Sequence, residues 1–247
     1  QEHFSATYRT VLAEMERESI FVVNEKNLSE EQKEFCRSYF AQILSPRLVP
    51  LIIRKSVRLP FLPDGNSYLG VKMSHKNRCS VRYAVVRIPT SSACPRFVVL
   101  PSAAGRHDII FIDDIIRLMI DHIFFMFSYD EIGVYTFKIM RDAELTYDED
   151  VSKSLFERIS EGVSNRRYGL PIRMIYDRDM PADMVEILAG KLGLDNSEML
   201  APGERYHMMK DLMKFPKVRP DLLYAPQRPI QHPSISLFSS ILEVIAR

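Results

Sequence analysis

Two β-prone runs, residues 68–73 and 81–88, flank the polar tetrapeptide His75-Lys76-Asn77-Arg78. That pattern predicts a β-hairpin with its tip at 75–78. Hairpin strands are antiparallel, because parallel neighbours need a crossover of about a dozen residues or more. The chain is therefore not an all-parallel doubly wound sheet. Further β-prone runs at 20–23, 49–53, 97–100, 109–112, 134–139 and 172–176 must join an antiparallel or mixed arrangement.

Helical segments interleave with these runs. Residues 2–19 place Phe4, Tyr8, Val11, Leu12 and Met15 on one face. Ser29 with Gln32 three residues on forms a capping box for a helix to about residue 44, before Pro46. Asp64-Gly65-Asn66 reads as a turn. Asp113 or Asp114 is placed to cap a helix over 115–127. Residues 150–163 repeat Val151, Leu155, Ile159 and Val163 at a helical step. Pro181 suits the first turn of a helix over 182–192, which Gly193 ends. A short helix over 206–215 closes at Pro216, a proline-rich linker follows to 233, and 236–246 is a last amphipathic helix. The expected class is α+β, a mixed β-sheet layered with α-helices in a two-layer sandwich.

Several functions are disfavoured at once. Nine glycines in 247 residues, with no G-x-G-x-x-G and no G-x-x-x-x-G-K-S/T, leave little material for phosphate-cradling loops. The six histidines show no H-x-x-x-H spacing, and no G-x-S-x-G exists. No catalytic, cofactor-binding or metal-binding residue is named on these grounds. Cys36, Cys79 and Cys94 form no C-x-x-C and read as reduced thiols. The most apolar run, 115–127, is broken by Arg117, Asp121 and His122, and falls short of the roughly 20 apolar residues of a membrane span. A net charge of +1 does not mark a nucleic-acid binder, so a polyanion would have to meet a local cluster of cations.

Three segments carry such cations. Arg141-Asp142-Ala143-Glu144 follows the strand at 134–139. Arg178-Asp179-Met180-Pro181 precedes a helix that Asp179 is placed to cap. Arg205, His207 and Lys210 crowd the start of the short helix at 206–215, where free backbone N–H groups also favour anions. A guanidinium suits phosphate through paired hydrogen bonds. The plainer alternatives stay open: Arg141 paired with a carboxylate at the strand end, Asp179 as a cap only, and Arg205, His207 and Lys210 as solvated surface.

These segments, in this order, resemble polyphosphate kinase of the long, phosphohistidine-forming type. The resemblance rests on Ile20-Phe21-Val22-Val23-Asn24-Glu25, Val81-Arg82-Tyr83-Ala84 with Ile88-Pro89, and Pro95-Arg96-Phe97-Val98-Val99-Leu100-Pro101. It continues in Arg141-Asp142-Ala143-Glu144, Arg178-Asp179-Met180-Pro181, Pro202-Gly203-Glu204-Arg205-Tyr206-His207, Lys210-Asp211 and Phe215-Pro216. Two departures are Glu204, where the family has Gly, and a short passage at 230–237 where the family is longer.

The resemblance implies a four-part enzyme that reversibly moves the terminal phosphate of ATP onto polyphosphate with magnesium. On that reading residues 1–19 are the last helix of an N-terminal helical domain, and 20–228 are the head or middle domain. Residues 229–247 are the linker and an early helix of a phospholipase D-like C-terminal domain. The family's phosphohistidine lies in that C-terminal domain, so no catalytic residue is carried over. Magnesium and ATP are expected mainly outside this chain. Expected partners are polyphosphate, ATP or ADP, and a second copy in a homodimer or higher homo-oligomer, without nucleic acid. A cytoplasmic place is expected, with peripheral membrane association allowed. Arg205, His207, Lys210 and Arg141 are the candidate polyphosphate contacts. The alternative is a stand-alone, non-enzymatic interaction or polyanion-binding module.

Overall fold

A computed structural model describes residues 2–54, 56–76, 78–141, 169–194, 196–207 and 209–227. The expected helices at 150–163 and 236–246 lie outside the described residues, as do Asp142 and Glu144. The chain divides into two compact units, Gln1–Pro216 and Lys217–Arg247. Within the described part of the second, Pro220–Leu222 makes one 3-10 turn and Arg219 pairs with Asp221.

The first unit carries nine described strands in two sheets. The small sheet has the order β1-β6-β5, from β1 (Ile20–Val23), β6 (His107–Phe111) and β5 (Phe97–Val99). The large sheet has the order β2-β4-β3-β7-β8-β9. Its strands are β2 (Pro50–Ile53), β3 (Ser67–His75), β4 (Arg78–Arg87), β7 (Glu131–Arg141), β8 (Pro171–Asp177) and β9 (Leu200–Gly203). The predicted hairpin is β3–β4, with Val71 opposite Ala84. Most pairs are antiparallel, but β1–β6 and β8–β9 are parallel, so the class is mixed α+β.

The large sheet is buried on both faces at its centre, which is why β3 reads as a nearly continuous apolar run. Leu69, Val71, Met73, Ala84 and Val86 face one cluster, completed by Cys36, Phe40 and Leu44 from the α2 side and Ile112, Ile115 and Ile116 from α3. Here α2 is Glu30–Tyr39 and α3 is Ile112–Leu118. Tyr68, Val85, Phe137 and Ile139 face the other way, onto Met184, Val185 and Leu188. Those three belong to a helix at Ala182–Leu192, numbered α5 after α4 at Ile120–Ile123. A Cβ at Gly70 would overlap the Met184 methyl group, so a larger residue there displaces the end of that buried side chain.

Local chemistry explains most element ends. The Ser29 side chain accepts from the Gln32 N–H at 3.2 Å, and Gln32 Oε1 accepts from the Ser29 N–H at 3.1 Å. Ser29→Ala should therefore cost about 1 kcal/mol in urea unfolding. An unchanged midpoint would show that the box does not hold this helix. Gly193 closes α5 in the left-handed region at φ 71.

Other expectations need correction. After α2 the chain runs through a wide turn at Phe40–Leu44 and a 3-10 turn at Ser45–Arg47, because Pro46 is tolerated in a first turn. The predicted helix at 115–127 starts earlier, at Ile112, and breaks at Met119. Neither Asp113 nor Asp114 caps it; both are buried inside it. Asp179 caps nothing either: α5 has no side-chain cap, and Asp177 Oδ1 accepts from the Asp179 N–H at 3.1 Å. The segment at 206–215 is 3-10 rather than α-helical, from Met209 to Lys214. Strand β9 was not expected, since Pro202 and Gly203 disfavour strands; as an edge strand it tolerates both.

Candidate functional site

The turn of α3 that follows β6 reads Ile112-Asp113-Asp114-Ile115-Ile116-Arg117, and every one of these residues is buried. A charge in such a place must be paired and hydrogen-bonded. Asp114 Oδ1 accepts from Arg117 Nη1 at 2.9 Å and from Arg205 Nη2 at 2.8 Å, while Oδ2 accepts from the Tyr206 hydroxyl at 2.6 Å. Arg205 also donates to Glu25, in the loop after β1. Arg117 reaches across to the Thr136 hydroxyl on β7, and the Thr136 carbonyl lies 3.2 Å from His207 Nε2. Two carboxylates thus face two guanidiniums in a clasp that joins the small sheet, α3, the large sheet and the 205–207 segment.

The environment tunes each member. Burial pushes the Asp114 carboxyl above the usual carboxylate range, against the pull of Arg117 and Arg205. Burial works on Glu25 too, yet the hydrogen bond and charge of Arg205 hold it below that range. Burial and the Asp114 charge push the Tyr8 hydroxyl up to about 12 and Tyr206 higher still. Tyr8 comes from α1 (Glu2–Arg17), so that helix also senses the clasp.

A second pair lies alongside. Arg96 Nη2 meets Asp113 at 2.7 Å, and its Nη1 lies 3.5 Å from Asp211. Rings bind the same region together: Phe111 stacks on Tyr206 at 4.3 Å, and Phe97 touches Phe111 at 4.7 Å and Phe215 at 5.1 Å. Glu25, Arg96, Phe97, Arg205, Tyr206, Asp211 and Phe215 come from five separate motifs of the sequence and converge here.

The four candidate polyphosphate contacts do not lie together on one open surface. Arg205 has a side chain 31% exposed and is held by Glu25 and Asp114. His207 is buried, and burial lowers its pKa to about 4, so it is neutral at pH 7 and not a cation. Arg141 donates to the Leu62 and Gly169 carbonyls at 2.8 to 3.0 Å and lies over the Phe61 ring. Lys210 is exposed. Glu204, the departure from the family, lies 3.1 Å from Arg9 and 3.7 Å from Arg178, which offset its charge.

Sequence reasoning missed Glu25, Asp113, Asp114, Arg117 and Thr136. The available signal was three charges spaced through an apolar helix with no polar face. An apolar cavity of about 320 Å³ lies between α1 and the small sheet, lined by Tyr8, Val11, Met15, Phe97 and Phe111 among others; it suits no polyanion. Magnesium does not fit the clasp. Its carboxylates are each held by a guanidinium, and no group of three or more His, Cys, Asp or Glu among the described residues could hold a metal ion.

The profile of the polyphosphate kinase middle domain matches residues 31–215. A polyphosphate kinase of Vibrio parahaemolyticus is 36% identical over 249 residues, covering 99% of this chain and 35% of the relative. That of Escherichia coli K12 is 37% identical over 236 residues, covering 94% of this chain and 34% of the relative. The chain thus spans about a third of the length of these curated relatives. The crystal structure of polyphosphate kinase from Porphyromonas gingivalis superposes with a TM-score of 0.71 at 23% identity, over 92% of this chain and 32% of that one. With converging motifs, matching fold and a profile that covers most of its length, the chain belongs to the polyphosphate kinase family and contains its middle domain.

Proposed function

We propose that this chain is the scaffold of a polyphosphate kinase that reversibly transfers the terminal phosphate of ATP to polyphosphate. The phosphohistidine, ATP and magnesium lie outside these residues on this reading, in neighbouring domains. Residues 1–19 and 229–247 are proposed as the joints to those domains. The observation that carries the scaffold role is the clasp: Arg205, Tyr206 and His207 of one family motif are held by Glu25 of another and by the buried Asp114 and Thr136. Arg205 neutralises Glu25 and Asp114. His207, the one motif histidine, is buried with Nε2 on a backbone carbonyl, a poor position for accepting a phosphoryl group.

The scaffold is also proposed to help a homodimer or larger homo-oligomer form. The 115–127 segment places Ile115, Ile116, Ile120 and Phe124 in the core but leaves Phe125 74% and Met126 81% exposed. Membrane crossing is no part of the reading, since no described helix is long and apolar enough.

The test uses γ-labelled ATP with magnesium. The protein as its gene encodes it should make labelled polymer and sediment as an oligomer. The 247-residue chain by itself should stay unlabelled. No polymer from the encoded protein would refute the kinase, and only monomer would refute the self-association. Stoichiometric acid-labile phosphate on His207 would refute the scaffold role.

A further inference from the structure

Several cations of the first unit meet carboxylates. Arg96 has Asp113, Arg117 has Asp114, Arg205 has Glu25 and Asp114, and Lys72 has Asp183. Lys138 and Lys210 differ: among the described residues neither is in an ion pair, and each lies within reach of the other's charge.

The two meet where β3 begins. The Asp64-Gly65-Asn66 turn has Gly65 at φ 69, and Lys210 Nζ lies 3.9 Å from where a Gly65 Cβ would stand. Ser67 follows the turn and pairs with Lys138 directly across the β3–β7 ladder, so the two share one face. Ser67 Oγ is buried without a hydrogen-bond partner among the described residues. Arg141, further along β7, folds back onto the Leu62 carbonyl just before the same turn. The carboxylates nearby do not fill the gap. Asp211 lies against Arg96, and Asp64 is exposed, where its charge acts on Arg141 and Tyr68.

Lys138 is partly buried and Lys210 exposed beside it, and a like charge near a partly buried ammonium disfavours its charged form. Burial first, and Lys210 second, lower the Lys138 pKa accordingly. An anion between them removes that conflict. The orphaned Ser67 hydroxyl marks the same spot as short of a polar partner. We propose that Lys138 and Lys210 form an anion subsite, beside the turn at residues 64–66, for the phosphoryl oxygens of a phosphate chain. That its occupant is an inorganic chain rests on the function proposed above; the subsite itself rests on the side chains.

Residue type fits this role. Arg141 is fixed with its N–H groups on the Leu62 and Gly169 carbonyls, so it offers no fork for a phosphate. Lysine ammoniums are compact charges on flexible stems with three rotatable donors. Such groups hold successive phosphates without fixing one register, which suits a polymer that must advance.

The test titrates the protein as its gene encodes it with tripolyphosphate and, separately, with ATP, at low and high salt. Variants are Lys138→Met, Lys210→Met, their double, and Lys138→Arg. Each methionine variant should weaken tripolyphosphate binding roughly fivefold at low salt, and less at high salt. Lys138→Arg should retain binding, which separates charge from packing. A loss for tripolyphosphate alone assigns the subsite to the inorganic chain; an equal loss for ATP assigns it to the nucleotide's phosphates. Either result supports the subsite. Wild type that binds while the methionine variants bind equally well would overturn it. Wild type that binds neither probe would overturn it too. The kinase reading is judged separately, by whether the same preparation makes polymer.

Discussion

Asp114→Ala should lower folding stability by about 3–5 kcal/mol, the usual cost of removing one partner from a buried ion pair. The carboxylate is fully buried and takes three donors, from Arg117, Arg205 and Tyr206. Without it, Arg117 and Arg205 lose their shared acceptor, and Glu25 is left to pair with Arg205. Among the described residues, Arg117 Nε and Arg205 Nε already lack partners, and no spare acceptor stands beside them. Tyr206→Phe keeps the ring on Phe111 and removes one hydrogen bond, so its cost should be about 1–2 kcal/mol. It gives a readable value even where Asp114→Ala fails to fold. Asp114→Asn keeps the shape and loses the charge, and should fall between the two. Urea unfolding of the encoded protein, followed by a probe of this domain, supplies all three numbers. A loss below about 1 kcal/mol for Asp114→Ala would mean that the clasp contributes little and that its charges are better solvated than their burial implies.

How much of this was legible in the sequence depends on the range of the interaction. The hairpin of β3 and β4 was readable because two β-prone runs and the polar tip between them are local. The same holds for the α2 capping box and the Gly193 stop, which are written within a few residues. The division of the strands into two sheets was not readable, because nothing in Ile20-Phe21-Val22-Val23 says that its neighbour is His107–Phe111 rather than β2. The clasp was missed for the same reason. Arg205 meets Glu25 across 180 residues and Asp114 across 91, so proximity in sequence pointed instead to Glu204 and Lys210. Asp113 and Asp114 carry the residue type of a helix cap, and local propensity reads them so. Burial of the whole α3 turn overrides that role and turns both into core acceptors. The family motifs were recognisable as strings long before their meeting point was visible, and their meeting point is what gives them a physical reason.

His207 should make the fold lose stability as pH falls through the mildly acidic range. Its ring is buried, with Nε2 against the Thr136 carbonyl, an arrangement that takes the proton on Nε2 and leaves the imidazole neutral. Burial, with Lys138, Arg96 and Arg117 nearby, lowers its pKa from 6.5 to about 4. The unfolded chain takes up a proton near 6.5, and the folded chain does not until about 4. Between those values the unfolded state binds more protons, so stability falls with falling pH. Above 6.5 both states are neutral and the residue adds no slope; below about 4 the loss levels off. The full loss is about 3 kcal/mol, at about 1.4 kcal/mol for each unit of pKa difference. Glu25 and Asp108 are held below the usual carboxylate range by donors that outweigh their burial, so they add their own losses at lower pH. A control separates them. His207→Gln can place an amide N–H where Nε2 stood, keep the bond to Thr136, and remove the titration. Stability measured by urea unfolding across that window should then decline less steeply in the variant than in the wild type. The difference between the two curves should open below about pH 6.5 and be complete near pH 4. Parallel curves, or a His207 ring proton resonance that titrates near 6.5, would show that the imidazole is hydrated and that the 205–207 segment is not packed as described.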